Sequence, residues 1–367
     1  MRIAKPADNA NIAQPHAPML DKRWDAIIVG QGLAGTTLAW QLQEAGKTVL
    51  LLDACSAVTS SKIAAGLITP ITGQRMVLSN RYDDFLSVAK PFYKLIEQKT
   101  GRMFFHNRMA QRLFKSDAER TNWEVRGQQT AYQSHLVNPP PSPLINNSIA
   151  DATGGGFAMN AAQLDVATYL DASRSKLPWE RMALDWNRDV SFSSEGVAVG
   201  AHFAHLVISC EGFSATRNPY FSNLSFTAAK GDILTVRFHL PIPQASIHHG
   251  VWLAPTPDPD VFLIGSTYNW EVLNEVPEAS ARSLIESKLN EFIRVPYTVL
   301  DHRAAVRPII RKSEPLIGRH PKQDRLGYFN GLGSKGSLLA PWYARCLSDH
   351  LANHEPIPND IDIRSHL

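Results

Sequence analysis

The chain has 367 residues, 44% of them hydrophobic, 9% aromatic and 19% charged. That is the composition of a folded globular protein of about two domains, and it leaves collagen-like, coiled-coil and disordered classes without support. Lysine plus arginine number 37 against 34 aspartate plus glutamate, a formal charge of +3, so nothing in the balance supports non-specific binding to nucleic-acid phosphates.

Residues 1–22 are polar, carry Pro6, Pro15 and Pro18, and lack the apolar centre and small-residue cleavage site of a secretory signal. They read as an extension outside the fold. From Trp24 the β-rich run Asp25 to Val29 meets Gly30-Gln31-Gly32-Leu33-Ala34-Gly35, then a helical stretch from Thr36 to Ala45, then a second β-rich run from Thr48 to Asp53. This is a βαβ unit. Gly30 permits the tight turn, Gly32 lets backbone approach a pyrophosphate, and Gly35 lets the helix pack on the strand. Asp53, 18 residues after Gly35, is placed to accept hydrogen bonds from a ribose hydroxyl.

Helical spacing of Phe85, Val88, Ala89, Phe92, Leu95 and Ile96 predicts a helix over 81–100, with Pro91 arguing for a kink or a break. The segment 138–143, dense in proline, and Gly154-Gly155-Gly156 stand outside regular structure and bracket a crossing between domains. A helix is expected over 161–176. The strand His205 to Ser209 then runs into Cys210-Glu211-Gly212, a turn that lets backbone approach a ligand. Runs 233–238, 251–254 and 261–264 suggest an antiparallel sheet.

Near the end, Gly327 to Asn330 leads into Gly331-Leu332-Gly333-Ser334-Lys335-Gly336 and a helix from Ser337 to about Leu351. Only 31 residues follow Gly336, too few for a second dinucleotide fold, so this turn serves another ligand or another part of the same one. A helix N-terminus carries about half a positive charge and suits a group that becomes negative during reaction.

The fingerprint Ile28 to Gly35, the Cys210-Glu211-Gly212 turn, Val306-Arg307-Pro308 with Pro315 to Gly318, and the closing glycine turn resemble the D-amino acid oxidase and glycine oxidase (DAO) family of FAD-dependent amine oxidoreductases. The likeness spans Trp24 to His350. Segments 64–75 and 331–336 look most like the FAD oxidase half of a bacterial bifunctional tRNA-modifying protein, whose methyltransferase half has no counterpart here. The resemblance implies an α/β fold: a Rossmann-like FAD-binding domain in discontinuous segments (23–82, 151–222 and 301–367) with an inserted mixed or antiparallel-sheet substrate domain (83–150 and 223–300).

By the same resemblance, Gly30, Gly32, Leu33, Ala34, Gly35, Asp53 and Ala54 would hold the ADP half of FAD, with Ser61 nearby. Ala64, Ala65, Gly66 and Leu67 would pass along the isoalloxazine. Cys210, Glu211 and Gly212 would border the cofactor, and Gly331, Gly333, Ser334, Lys335, Gly336 and Ser337 would face its pyrimidine edge. Arg307 would clamp a substrate carboxylate, where guanidinium geometry suits a bidentate pair. Trp252 would wall the pocket where relatives often place a tyrosine. The implied reaction is oxidation of the carbon beside the amine of a glycine-, sarcosine- or D-amino-acid-like substrate, with oxygen as acceptor. Oxidation of a carboxymethylated tRNA uridine and a flavin-bearing subunit without turnover are the alternatives.

Some relatives attach flavin through a cysteine shortly after the Arg-Pro segment, but 311–314 contains none, so FAD is expected without a covalent link. Cys55, Cys210 and Cys346 lie far apart, giving neither a disulfide framework nor a zinc site, and a reducing, cytoplasmic setting fits. His248 and His249 would point to opposite faces of a strand, so a shared metal is not expected. No stretch reaches the length of a membrane helix.

Overall fold

An unbroken apolar run such as Ile27-Ile28-Val29 is buried on both faces only within a parallel sheet that has both faces covered. The computed structural model describes residues 23–73, 75–137, 148–149, 155–310 and 314–367 and shows that arrangement. Ile27 and Val29 pack with Leu50, Leu52 and Val207 on one face. Ile28 packs with Leu51 and Ile208 on the other, under Leu38, Phe85, Ile96 and Leu347 from the covering helices.

Strand Arg23–Val29 lies parallel between Val49–Asp53 and His202–Ser209, with Gln323–Asn330 parallel beyond the latter and Trp179–Arg181 beyond the former. The βαβ unit is as expected, except that its helix is Leu33–Glu44 and begins three residues earlier, so Gly35 sits in its first turn. All these strands end on one edge, where the Gly30–Gly35, Cys210–Gly212 and Gly331–Gly336 turns emerge.

A second sheet runs Tyr297–Arg307, Ala229–Phe238, Val261–Gly265, Val251–Pro255, Ser246–His249, Phe105–Leu113, Gly156–Leu164 and Leu67–Ile68. Its pairs are antiparallel except that between Ser246–His249 and Phe105–Leu113. The three runs expected to form an antiparallel sheet are neighbours in it.

Two expectations require correction. Residues 161–176 do not form one helix: Gly156–Leu164 is a strand paired along its length with Phe105–Leu113, and the helix is Val166–Arg174. Asp165 caps that helix by accepting from the Thr168 N–H at 3.1 Å, which marks the change of element. Gly156 therefore opens a strand; Gly154 and 138–147 lie outside the described residues, as do 1–22, Gln74 and 311–313. The other correction concerns Pro91, which does not break helix Tyr82–Thr100. Proline inside a helix costs about 3 kcal/mol. Here Phe85, Phe92, Tyr93 and Ile96 are buried from the same helix, each contributing about 1.5–3 kcal/mol, and burial wins.

Among the described residues no helix is long and apolar enough to cross a membrane. The pair His248 and His249 lies in strand Ser246–His249, His248 in register with Trp252 and Arg112, His249 against the Phe292 ring. Nε2 of His248 is buried without a hydrogen-bond partner. Burial, reinforced by the Arg112 cation, pushes its pKa down to about 4. The unfolded chain takes up this proton near pH 6.5 and the folded chain only near 4, so His248 supports the fold above that window and opposes it as pH falls through it. The unfolding free energies at pH 7 and pH 4.5, obtained from urea titrations, should therefore lie closer together in His248→Gln than in the native chain, by on the order of 2 to 3 kcal/mol. Parallel losses in both proteins would show that His248 takes no part.

Candidate active site

The edge where the glycine turns emerge and the inner face of the second sheet enclose a cavity of about 540 Å³. Its dinucleotide-like wall begins at Gly30, whose N–H donates to the Leu52 carbonyl at 2.7 Å. With φ of +104°, Gly30 faces the Cys210 carbonyl so closely that a Cβ would come within 2.5 Å of that oxygen. Cys210 in turn donates its N–H to Val29 at 2.8 Å, so the two turns are stitched together. Burial pushes the Cys210 thiol well above its ordinary range. The Glu211 carboxylate is spent on Trp186, Ser209 and Asn218, at 2.7–3.1 Å, and braces the turn.

Asp53 ends its strand at the cavity wall, its oxygens accepting the N–H of Gln31 and of Cys55, each at 2.8 Å, with Arg174 at 3.5 Å. Helix Leu33–Glu44 opens at Gly32 with no side-chain cap on Gly32 and no acidic residue in its first turn, and Ser61 Oγ accepts the Leu33 N–H at 3.1 Å. The segment Ala64 to Leu67 is gripped from behind: Gln163 donates its amide to the Ala65 carbonyl at 2.9 Å, and the Leu164 N–H reaches the Gly66 carbonyl at 2.9 Å.

The closing turn is tied to the others by Asn330, whose amide donates to the Gly212 carbonyl at 2.7 Å and whose oxygen accepts the Gly331 N–H at 2.8 Å. The Gly333 N–H reaches the Pro308 carbonyl at 3.2 Å, joining this turn to the Arg-Pro segment. Helix Gly336–Asn353 begins here, again without a side-chain cap or a first-turn acid. Two helix N-termini, each with a partial positive charge, thus meet one cavity.

Arg307 ends strand Tyr297–Arg307 inside the cavity. Its Nη2 donates to Ser266 Oγ at 2.7 Å and its Nη1 to the Thr267 carbonyl at 3.4 Å, and its guanidinium carbon lies 4.3 Å from the Tyr268 ring centre. These contacts occupy two of its five N–H donors. Burial holds its pKa below the usual arginine range, opposed by Tyr268 and Asp232, and the group remains a cation at neutral pH. Gly231 makes room for it: a Cβ there would fall 2.1 Å from Nη2. Trp252 stands in register with Gly265, where a Cβ would lie 2.8 Å from the indole, and Ile233 and Ala305 complete an apolar floor.

Of the expected site residues, Gly30, Gly32, Leu33, Ala34, Asp53, Ser61, Ala64 to Leu67, Cys210 to Gly212, Trp252, Arg307, Gly333, Ser334, Gly336 and Ser337 line this one cavity. Gly35, Ala54, Gly331 and Lys335 do not. Gly35 lies beneath, where a Cβ would strike the Gly30 carbonyl at 1.9 Å, and Gly331 packs on Ile310. Lys335 turns its ammonium to Ser79 Oγ at 3.2 Å, and Ala54 follows Asp53 out of the wall. Sequence reasoning missed Gly231, Ser266, Tyr268 and Asn330. Only strand register brings the first three to Arg307, whereas Asn330, a polar residue between a strand and a glycine turn, carried a local signal.

The cradle tests well for FAD. Two places beside the glycine backbone admit no side chain, two helix N-termini whose own N-cap residues supply no side-chain cap face one space, and an acid stands at the end of the second strand. Comparison with known proteins agrees. The DAO family of FAD dependent oxidoreductases matches residues 25–350, and the chain belongs to it. A glycine oxidase of Bacillus licheniformis is 22% identical over 348 residues, covering 89% of this chain and 93% of that one. Among solved structures, a glycine oxidase from Geobacillus kaustophilus superposes with a TM-score of 0.75 at 18% identity, over 94% of this chain and 98% of its own. An iminodiacetate oxidase from Chelativorans sp. BNC1 gives 0.66 at 17% identity, over 91% and 97%.

Because Gly231 reserves the guanidinium's place, Gly231→Ala is expected to keep flavin and fold while displacing Arg307. Affinity for a small carboxylate such as acetate, followed through the flavin spectrum, should fall roughly tenfold or more. Undiminished affinity would mean that Arg307 does not hold the anion from this position.

Proposed function

We propose that this FAD-dependent amine oxidoreductase of the DAO family oxidises the C–N bond of a small amine that bears a carboxylate, in the class of glycine, sarcosine or a D-amino acid. The observation that carries the reading is Arg307: a half-buried, cationic guanidinium that spends two of its five donors on Ser266 and Thr267 and lines the same cavity as both helix N-termini. When bound, FAD supplies the two-electron acceptor for hydride removal from the carbon beside nitrogen.

In this reading the chain holds and excludes. Gly30, Gly32 and the N-terminus of helix Leu33–Glu44 would hold the pyrophosphate, Asp53 the adenosine ribose, and the segments Ala64 to Leu67 and Gly333 to Ser337 the flavin end of the cofactor. Arg307 fixes the carboxylate and thereby the reacting carbon. Trp252, Ile233 and Ala305 keep water from that carbon, and the resulting imine is released to hydrolysis. No side-chain base is required, because positioning and an apolar floor are what the cavity offers. Oxygen as final acceptor is part of the same proposal and rests on the family resemblance.

We also propose the division into an FAD domain of 23–82, 151–222 and 301–367 and a substrate domain of 83–150 and 223–300. Strand pairing supports moving Gly156–Leu164 and most of Tyr297–Arg307 into the substrate part.

The test is the carboxylate clamp. Arg307→Lys keeps charge without the fork, and Arg307→Ala loses both. With a charged hydrogen bond worth about 2 kcal/mol or more, kcat/KM for a carboxylate-bearing amine should fall at least about thirty-fold in the alanine variant while FAD stays bound. An equal fall for amines lacking a carboxylate would assign Arg307 a structural role. FAD itself is expected without a covalent link, so acid precipitation should carry the yellow colour into the supernatant; a coloured pellet would refute this.

A further inference from the structure

Between strand Val261–Gly265 and helix Ala279–Asn290, the chain crosses the mouth of the cavity with apolar side chains turned outward. Tyr268, Trp270, Val272, Leu273 and Val276 are 48%, 63%, 41%, 37% and 64% exposed. Tyr268 and Leu273 line the cavity itself, and Trp270 stacks on Tyr268 with ring centres 5.8 Å apart and planes 27° from parallel. Singly exposed apolar residues need no explanation, but a stacked pair continuous with a cavity does.

Buried charge holds this crossing in place. Lys230, whose side chain is 1% exposed, ends on Asn274 Oδ1 at 3.0 Å and Glu278 Oε1 at 2.6 Å. Its backbone exchanges hydrogen bonds with Asn269 at 2.8 and 3.0 Å. Asp232, equally buried, accepts from Thr267 Oγ1 and the Glu278 N–H, each at 3.1 Å, and pairs with the His302 ring at 2.9 Å. The crossing is therefore pinned at 267, 269, 274 and 278, on both sides of the aromatic pair. A chain held this firmly presents its rings without ordering cost, which is the property of a ligand platform.

We propose that Tyr268 and Trp270 form an aromatic platform for the substrate, and that the substrate is a carboxylate-bearing amine carrying a planar aromatic substituent. The proposal rests on the reading of Arg307 as the carboxylate site and adds to it the substituent class. The guanidinium carbon sits 4.3 Å from the Tyr268 ring centre, so a carboxylate held there lies beside the inner ring. A ring attached near the reacting carbon then reaches the outer one. Glycine or sarcosine would leave both indole and phenol in water.

The experiment uses the FAD-loaded protein and two carboxylates that cannot be oxidised as amines, phenylacetate and acetate, titrated against the flavin spectrum. Phenylacetate should bind at least about tenfold more tightly, and Trp270→Ser should bring the ratio of the two affinities toward one. Trp270 is 63% exposed, so the substitution leaves the core intact. Equal affinities in the native protein, or a ratio indifferent to the substitution, would overturn the proposal. The latter result combined with a shift in oligomeric state by sedimentation would hand the patch to a second copy of the chain.

Anaerobic flavin reduction by N-benzylglycine against sarcosine, and by D-phenylalanine against D-alanine, then tells whether the ring belongs on nitrogen or on carbon. A phenylacetate preference that depends on Trp270, with no amine reducing the flavin, would uphold the platform and defeat the oxidase reading. Reduction by sarcosine or D-alanine without any aromatic preference would do the reverse.

Discussion

The contact between Gly30 and the Cys210 carbonyl is the constraint on which the site is built. Val29 and Ser209 are partners in adjacent parallel strands, so the chain leaves both at the same level and the two departing turns must share one place. A Cβ at residue 30 would sit 2.5 Å from the Cys210 oxygen, and no rotamer relieves a clash between backbone and Cβ. Because the turns meet this closely, the crevice at the carboxyl ends of the strands is narrow and lined with backbone, as an approaching pyrophosphate requires. Asn330 then brings in the third turn by bonding to Gly212, and Asp53 anchors the first by accepting from Gln31.

The substrate wall follows a different rule. It is a sheet face from which side chains have been left out. Gly231 vacates the volume that the Arg307 guanidinium occupies, and Gly265 vacates that of the Trp252 indole. In both cases a large side chain on one strand lies over a glycine on its neighbour, so a cation and an aromatic plane are set at fixed positions against Ile233 and Ala305. This combination of absent side chains and register is why the wall can carry a cation without losing its apolar floor.

Legibility from sequence divides along the same line. The βαβ fingerprint could be read because its glycines, helix and acid lie within one contiguous stretch, each required by local geometry. The closing turn could be read because it repeats the glycine spacing of the first and leads directly into helix Gly336–Asn353. Arg307 was visible through its proline, but its partners Ser266 and Tyr268 lie about forty residues away and Gly231 farther still, joined only by antiparallel pairing. The helix expected over 161–176 failed for a related reason. Its first residues, Ala161-Ala162-Gln163-Leu164, are good helix formers, yet pairing with Phe105–Leu113 forces them into a strand and points the Gln163 amide at Ala65.

The buried charges of the second sheet fit this division of labour. Burying Lys230 and Asp232 adds little net stability, since removing charges from water offsets most of what their pairing returns. What they do supply is position. Lys230 reaches from a strand interior to Asn274 and Glu278, while Asp232 reaches Thr267 and the Glu278 backbone, so one strand fixes both ends of the crossing above the cavity. Thr267 also lends its carbonyl to Arg307. The same polar network therefore sets the guanidinium and the Tyr268 ring beside it, and a substrate meets a wall whose conformational entropy was lost at folding and need not be lost again on binding.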